Sequence, residues 1–371
     1  MTISFQYIDT TPDLEMVVAR CRRVAAVSID TEFARSHTYY PEVGLIQIYD
    51  GETCFLIDPL VIDELSSLAD LLEDKRVLKI FHACSEDMEV FQYAIGTLPL
   101  PVFDTQIAAA ILGDGFSMSY QKLVEKYLSL NVPKEETRSD WLQRPLSDAQ
   151  LDYAALDVIY LLQVYERQQA ALVASGRLAW VEEECALLGI DVATSIDPGN
   201  VYLRVRAAAR MSPPELNRLQ ALCAWRELCA RRLNLPRNRV VEEKALVALV
   251  RTRDPDRETL ASAGLTPRQI RKYGDDIMEV LQSASLADAG SFPPSLDEEP
   301  VSNDRIKRLK QLVDQQAEAL SIAPEMLVRR RQLEELLRSN NGGSGFELPA
   351  ALQGWRREVI GDRLLRAVEQ D

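Results

Sequence analysis

The stretch Val24-Ala-Ala-Val-Ser-Ile-Asp-Thr-Glu-Phe33 places two carboxylates at the end of an apolar run. The run Val24–Asp30 is short and apolar, which predicts a β-strand. Side chains two residues apart on a strand point to the same face, so Asp30 and Glu32 are expected to project together. Like charges this close repel, and no Lys or Arg lies between them, so a divalent cation such as Mg²⁺ or Mn²⁺ is the natural partner. Taken alone, an Asp-x-Glu pair is also common as ordinary surface charge.

Short apolar runs recur through the first part of the chain. Gly44–Tyr49 and Cys54–Asp58 are separated by an Asp-Gly turn signal and predict neighbouring strands. Val77–Phe81 predicts a fourth strand, reached through a helical stretch near Glu64–Leu72. Strands that alternate with helices are typical of an α/β domain, and these turns predict a mixed sheet.

The remainder of the chain has a helical pattern. Linkers are expected at Asp191–Asn200 and Gly290–Pro300, and Ser212-Pro-Pro-Glu215 is typical of a helix start. Two helical segments repeat weakly at an offset of 87 residues, and the second copy carries a loop at Asn340–Gly345. We therefore predict an α/β domain in residues 1–195 and two small helical domains in residues 205–288 and 301–371. The matching pairs are Leu219 and Ile306, Leu222 and Leu309, Ala230 and Ala317, Leu233 and Leu320, Val241 and Val328, Leu246 and Leu333, Ile277 and Leu364, and the Gly-Asp pairs at 274 and 361.

Composition narrows the class of protein. No apolar run approaches the roughly 18 residues of a membrane span, and the first ten residues lack a secretory signal pattern. Six scattered cysteines without a C-x-x-C pair predict reduced thiols and a cytoplasmic location. Only two histidines are present, which excludes a His-rich zinc site and leaves little room for a Ser-His-Asp triad. Hydrolytic chemistry would therefore depend on carboxylates.

The net charge of −15 is unevenly distributed. Residues 1–200 hold 14 Lys and Arg against 32 Asp and Glu, whereas residues 201–290 hold 16 against 11. This pattern suits an acidic metal site beside a basic gripping domain, although local solvated charge is the simpler interpretation. The cations of the basic segment include Arg231, Arg232, Arg237, Arg239, Arg251, Arg253, Arg268, Arg271 and Lys272.

A third carboxylate, Asp87, follows the fourth predicted strand in His82-Ala-Cys-Ser-Glu-Asp87. With Ser85 as cap and Gly96 as stop, Asp87 lies in the first turn of a helix, where the helix dipole favours an anion. Taken alone, Asp87 is more simply explained as a capping carboxylate. His82 ends a strand and suits a structural role in the core.

Tyr153 and a fourth carboxylate, Asp157, are four residues apart on a helix that a Ser147–Gln150 capping box begins. Residues at this spacing share one helix face, so the phenol and the carboxylate could orient a water molecule between them. A surface Tyr-Asp pair is the alternative.

Together, these motifs resemble the ribonuclease D family, within the 3′→5′ exonucleases that use four acidic residues. Its first motif stands as Asp30-Thr-Glu32, its second as His82–Asp87 and its third as Tyr153-x-x-x-Asp157. The helical repeats resemble HRDC domains, and the second copy departs more because it lacks the Trp-Arg and Asn-x-Pro matches. The resemblance implies an α/β ribonuclease H-like exonuclease domain, a mixed sheet with flanking helices, followed by two all-α HRDC-like domains. Further matches are Tyr39-Tyr-Pro41, Gly44-Leu-Ile-Gln47, Ile57-Asp-Pro59, Asp104-Thr-Gln106, Ser139-Asp-Trp141, Arg144-Pro-Leu146, Trp225-Arg226, Asn234-Leu-Pro236, Val240-Val241 and Tyr273-Gly274.

The resemblance also implies a chemistry, the release of nucleoside 5′-monophosphates from RNA 3′ ends with two divalent metal ions. Asp30 is expected to bridge both ions, and Glu32 and Asp157 to complete the site that activates water. Asp87 would hold the second ion through water, and Tyr153 would orient the attacking water. The expected partners are precursors of transfer RNA or other small structured RNAs, bound by a monomer.

Substrate contacts are expected at four further residues. Phe33 is a candidate stacking surface for the terminal base, although a core aromatic is an equal alternative. Lys134 and Arg138 precede Asp140-Trp141 and are candidates for phosphate contacts, and His82 is a candidate for substrate binding.

Three other functions stay open on the residues alone. A proofreading-type DNA exonuclease would use the same acids, because no reader of the 2′-hydroxyl is evident. A non-catalytic nucleic-acid scaffold would be indicated by the loss of one acid, and none is missing. A glycosidase would use a pair of carboxylates without metal.

Overall fold

The computed structural model describes residues 4–132, 139–195, 197–252, 255–286, 301–340 and 345–370. The chain divides into two compact units. The first comprises Met1–Ala34, Pro41–Ile190 and Val301–Asp371, and the second comprises Arg35–Tyr40 and Asp191–Pro300. The predicted domain boundaries at 195, 205, 288 and 301 stay predictions.

A six-stranded mixed sheet forms the centre of the first unit, in the order β1-β4-β3-β2-β5-β6. The pairs β2–β3 and β3–β4 are antiparallel, and the others are parallel. The mixed sheet and its four predicted strands are confirmed, but two edge strands were not predicted. The strands are β1 Phe5–Ile8, β2 Ala26–Ala34, β3 Glu42–Tyr49, β4 Cys54–Ile57, β5 Leu78–Phe81 and β6 Val102–Asp104.

Seven α-helices accompany the sheet within the described part of residues 11–195. The Ser147–Gln150 capping box is present and begins the 28-residue helix that carries Tyr153 and Asp157. The last of these helices runs to Ser195, so the predicted linker at Asp191–Asn200 is wrong over its first half. The helices are α1 Thr11–Cys21, α2 Ser67–Leu72, α3 Ser85–Ala94, α4 Thr105–Leu112, α5 Tyr120–Leu128, α6 Asp148–Ser175 and α7 Leu178–Ser195.

Helix α6 packs on the face of the sheet that carries Asp30. Leu45 of β3 and Leu56 of β4 share a buried cluster with Ala155 of α6, and Ser28 of β2 donates a hydrogen bond to a carbonyl of α6 at 2.7 Å. Ser28 and Asp30 are two residues apart on β2, so their side chains share this face. The carboxylates of β2 and of α6 are thereby directed toward one another.

The second unit is helical, and its core includes a segment from far away in the chain. The Tyr39 hydroxyl donates a hydrogen bond to the buried Glu227 carboxylate, which also accepts from Arg231 and Arg237. Asn234 accepts the backbone N–H of Tyr39 at 3.1 Å. Residues 35–40, which connect β2 to β3, are therefore part of this unit. Its helices are α8 Pro213–Leu233, α9 Arg237–Val240, α10 Glu243–Leu249, α11 Arg257–Ser262 and α12 Pro267–Leu286.

The C-terminal segment repeats the start of the second unit. Helix α9 recurs 87 residues later at Pro324–Leu327, and the residues that end the preceding helices, Asn234 and Ser321, are both left-handed, with φ of 47° and 55°. The last helix also recurs at this offset, because residues 357–369 correspond to 270–282 of α12, with a π-helical turn at Arg357–Gly361. The counterpart of α11 is not helical over the described residues 345–349. The predicted loop at Asn340–Gly345 and linker at Gly290–Pro300 lie largely or wholly outside the described residues. The helices are α13 Asn303–Leu320, α14 Pro324–Leu327, α15 Arg330–Arg338 and α16 Asp362–Glu369.

Arg356 joins this C-terminal segment to α7 within the first unit. Its guanidinium pairs with Glu184 of α7, at 2.8 Å for one of two contacts, and donates to the backbone carbonyls of Met326 and Leu327. Beside it, Trp355 stacks on Trp180 with ring centroids 4.6 Å apart. Among the described residues, no helix is both long and apolar enough to cross a bilayer.

Candidate active site

The structure brings Asp30, Glu32 and Asp157 together. One carboxylate oxygen of each lies within 4.8 Å of the others. Asp30 and Glu32 come from β2, and Asp157 comes from the buried side of α6. Residues 125 positions or more apart in the chain thus form one cluster of hard oxygen ligands, the donor type that Mg²⁺ and Mn²⁺ prefer.

Asp87 lies near this cluster but is not part of it. It is in the first turn of α3, is 7% exposed, and its carboxylate accepts a hydrogen bond from the hydroxyl of Thr31. It is not a member of the three-carboxylate group, although its charge is close enough to raise the pKa of both Asp30 and Glu32. This position suits a ligand that reaches a cation less directly than the other three.

The electrostatics of the four acids are uncompensated. Burial raises the pKa of Asp30 well above its usual range, and the neighbouring carboxylates of Asp87, Asp157 and Glu32 raise it further. The pKa of Glu32 is raised mainly by burial and further by repulsion from the carboxylates of Asp157 and Asp87. Over the described part of the chain, none of the four acids forms an ion pair with Lys or Arg. A divalent cation would supply the missing positive charge, so these residues fit the predicted metal.

Burial raises the pKa of Asp157 to about 7, and a hydrogen bond with the hydroxyl of Tyr153, one helical turn before it, partly offsets this rise. The ring centroid of Tyr153 lies 6.2 Å from that of Trp141. Trp141 is held by Arg144, which donates to its carbonyl at 2.9 Å and to both oxygens of Asp58 at 2.6 Å. The motif around Arg144 therefore supports the Tyr153 ring indirectly.

The structure explains why glycine begins the Gly44-Leu-Ile-Gln47 motif. A Cβ atom at this position would lie 2.5 Å from the carbonyl oxygen of Trp141, closer than van der Waals contact permits. Only glycine lets β3 approach the segment that carries Trp141 so closely.

The structure describes two of the four residues that were predicted to contact substrate. Phe33 is half-buried, next to the register shift that separates it from Glu32, and its stacking role stays a prediction. His82 Nδ1 lies 2.9 Å from the Thr105 hydroxyl, and burial lowers its pKa, which fits a structural role as well as a substrate contact. Lys134 and Arg138 lie outside the described residues.

Two residues near the acids were not predicted. Tyr120 of α5 donates a hydrogen bond to the Leu156 carbonyl at 2.9 Å, and Asp157 and Asp30 are close enough to help raise its pKa well above its usual range. Gln47 of β3 pairs directly with Asp30 across the sheet. Gln47 belongs to the Gly44-Leu-Ile-Gln47 motif, which could have pointed to it. Tyr120 belongs to no motif quoted from the sequence, and its distance along the chain gives no hint that it lies near the acids.

Comparison with known proteins covers the whole chain. A model described as 3′-5′ exonuclease matches residues 5–172, an HRDC domain model matches 215–281, and a model of the ribonuclease D C-terminal HRDC domain matches 300–364. Ribonuclease D of Pseudomonas paraeruginosa is 42% identical over 367 residues, covering 98% of this chain and 97% of the relative. Ribonuclease D of Escherichia coli is 34% identical, with 99% of each chain covered.

A crystal structure of Escherichia coli RNase D, described as an exoribonuclease involved in structured RNA processing, matches with a TM-score of 0.88 at 34% identity, covering 99% of both chains. The exonuclease sheet, its flanking helices and the HRDC domains are thus shared over the full length. The chain belongs to the ribonuclease D family of 3′→5′ exoribonucleases.

Proposed function

We propose that this exoribonuclease cleaves RNA from the 3′ end by a two-metal mechanism and releases nucleoside 5′-monophosphates, with precursors of transfer RNA as substrates. The observation that carries the proposal is the approach of Asp30, Glu32 and Asp157 to within 4.8 Å, with no cationic side chain paired to them among the described residues. Carboxylates that are this close together and largely buried need a cation or protons to neutralise them.

Asp30 is the residue that would touch both ions, because its carboxylate is near Glu32 and Asp157 and also interacts with Asp87. Glu32 and Asp157 would hold one ion, and Asp87 would hold the other through water. Bound there, two divalent ions supply an activated water and neutralise charge on the phosphate and the leaving oxygen.

Tyr153 has the role of orienting the attacking water. Its hydroxyl is hydrogen-bonded to Asp157, so it lies beside the group that would hold the water-activating ion. A phenol with a pKa near 10 is a poor base at neutral pH, which favours orientation over proton removal.

The second unit offers a surface for the RNA backbone. A groove of about 770 Å³ in this unit is lined by Arg239, Arg268 and Lys272, together with Ser36 and His37 from the segment between β2 and β3. Phosphate contacts from such a surface position an RNA without reading its sequence. We infer that this groove grips the structured body of the substrate.

The catalytic proposal is tested with the Asp30→Asn variant and an RNA with a free 3′ hydroxyl. Cleavage should fall by several orders of magnitude while RNA affinity is retained, because the groove in the second unit is intact. Normal trimming by the variant would show that the site is wrongly assigned. Matched RNA and DNA oligomers separate the proposed function from a DNA exonuclease.

The groove is tested in the Asp30→Asn background by a salt titration of RNA binding. Replacing Arg239, Arg268 and Lys272 with Gln together should reduce the slope of log affinity against log salt by about 2, at roughly 0.7 per lost phosphate contact. Arg206→Gln, an exposed cation outside the groove, is the control. An unchanged slope of log affinity against log salt in the triple variant would show that the groove does not bind the RNA backbone.

We also propose that the enzyme is cytoplasmic and that it is a monomer. All six cysteines are buried and free, which suits a reducing compartment. Sedimentation of the full chain measures the state of association, and a stable dimer would contradict the monomer.

A further inference from the structure

Gln47 is a fully buried polar residue in the middle of β3. Neither its amide nitrogen nor its amide oxygen has a hydrogen-bond partner among the described residues. A buried amide without a partner costs stability, so native proteins rarely leave both of its ends unsatisfied. Such a group calls for an explanation in terms of something that binds near it.

The sheet register places Gln47 directly opposite Asp30. Side chains paired in this way are on the same face, with Cβ atoms about 4.5–5.5 Å apart. The amide of Gln47 can therefore reach the carboxylate of Asp30 by rotation of its own side chain.

The other neighbours on this face offer little to a polar group. On the opposite side Gln47 pairs with Leu56, and the helix above contributes Ala154, Ala155 and Val158 to the same buried cluster. The hydroxyl of Ser28 already donates to the carbonyl of Val158. Asp30 is thus the polar residue directly opposite Gln47, whereas Glu32 on the same face is only its diagonal neighbour.

We propose that Gln47 is a positioning residue for Asp30, whose amide N–H donates to the Asp30 carboxylate when a divalent cation is bound there. This inference rests on the proposed metal site. A cation holds the Asp30 carboxylate in its charged form, which is the stronger acceptor, and a donor behind a ligand fixes its orientation. Gln47 would act through Asp30 and touch neither the cation nor the RNA.

The test compares Gln47→Met with the wild type, both as full-length protein freed of metal by a chelator and then dialysed. Binding of Mn²⁺ is followed by electron paramagnetic resonance and calorimetry. Because outer hydrogen bonds to metal ligands usually matter by about 10–100-fold, the Mn²⁺ Kd should rise by that factor. The metal-free variant should unfold at the same temperature as the wild type or higher, since an unsatisfied amide is replaced by an apolar chain of similar length.

Gln168→Met is the matched control. Gln168 is also fully buried, but its amide donates to the Thr105 carbonyl at 3.0 Å. Its replacement should lower thermal stability and leave the Mn²⁺ Kd unchanged. The opposite response of the two buried glutamines is the signature of a positioning role at Gln47.

Two outcomes would overturn the inference. One is a Gln47→Met protein that is less stable without metal, or fails to fold, because that assigns the residue to the core. The other is an unchanged Mn²⁺ Kd. A wild type that binds no Mn²⁺ would instead refute the metal site itself, so the two failures are distinguishable. In the Asp30→Asn background, Gln47→Met should produce no additional change in Mn²⁺ affinity.

Discussion

The hydroxyl of Thr31 donates a hydrogen bond to the carboxylate of Asp87, so the residue between the two acids of β2 holds the acid of α3. Asp30 and Glu32 are on one side of the strand, and Thr31 alternates to the other. A single three-residue motif therefore provides two candidate ligands and the anchor of another. The Asp-x-Glu notation leaves the middle residue unspecified, although here it has a definite partner.

Replacing Thr31 with Val should weaken the site without removing any acid. Burial raises the pKa of Asp87 to about 6, and the hydrogen bond from Thr31 limits that rise. Without this bond, the variant should hold Mn²⁺ about 10-fold less tightly and require higher pH for cleavage. Cleavage rates measured against Mn²⁺ concentration at several pH values check this. Thr31→Ser keeps the hydroxyl and should behave as the wild type; equal loss in both variants would contradict the anchoring role.

The Tyr153→Phe variant tests the orientation of the attacking water. Removing the hydroxyl should lower kcat by about 100-fold with little change in KM, because misplacement of a reacting group by about 1 Å has an effect of that size. The hydrogen bond to Asp157 lowers that residue's pKa, so the acidic limb of the pH profile should also move to higher pH. If kcat is preserved and only KM rises, Tyr153 contacts substrate instead.

The metal-free protein should lose stability as pH rises. The pKa of Glu32 is raised from 4.5 to about 9 by burial and by Asp157 and Asp87, and the pKa of Asp30 is raised as well. A carboxyl group with a raised folded-state pKa stabilises the fold fully below its unfolded pKa and loses that contribution as pH rises toward its folded pKa. The window therefore runs from about pH 4.5 to about pH 9.

Asp30→Asn isolates this effect. In the presence of a chelator the variant should melt at a higher temperature than the wild type at pH 8, and close to the wild type at pH 4.5. Adding Mn²⁺ at pH 8 should raise the melting temperature of the wild type and leave that of the variant nearly unchanged. A difference between the two proteins that is independent of pH would mean that Asp30 is not part of an unneutralised cluster.

Arg356→Met should destabilise the first unit. Arg356 is 9% exposed and pairs with a largely buried Glu184. Its removal leaves two backbone carbonyls without this donor and leaves the Glu184 carboxylate without its cation, although the Trp355 indole N–H still donates to it at 2.8 Å. Breaking such a pair by removing one partner costs about 3–5 kcal/mol of unfolding free energy. Urea unfolding measures the change. The adjacent Arg357→Met removes an exposed pair with Asp362 and should change stability by less than about 1 kcal/mol.

Sequence patterns were informative wherever local rules decide the structure. The strand that carries Asp30 and Glu32 follows from its apolar run, although it continues past both acids to Ala34. The helix that carries Asp157 follows from the Ser147–Gln150 capping box. The 87-residue repeat located the helices that frame Asn234 and Ser321. The roles of the four acids and Tyr153, by contrast, are still predictions for the experiments above.

Local sequence patterns did not predict the edge strands of the sheet or the contacts between residues far apart in the chain. Strands β1 and β6, four and three residues long, were not predicted. The equally short β4 and β5 were predicted because each is a nearly continuous apolar run, and an Asp-Gly turn precedes β4. The second repeat has no Trp-Arg pair at the position that matches Trp225-Arg226. Trp355 and Arg356 nevertheless form such a pair elsewhere in the C-terminal segment. There Arg356 binds the carbonyls of Met326 and Leu327, whereas Arg226 of the first copy binds the carbonyl of Val241.

The place of Tyr39 has a practical consequence for anyone who wishes to dissect this enzyme. Its ring is 6% exposed within the core of the second unit, and its hydroxyl is bonded to Glu227. A recombinant fragment cut at the two linkers would lack this ring and leave a cavity beside a buried carboxylate. Fragment studies would then measure a damaged protein, and an intact fragment would need residues 35–40 fused to it through a linker.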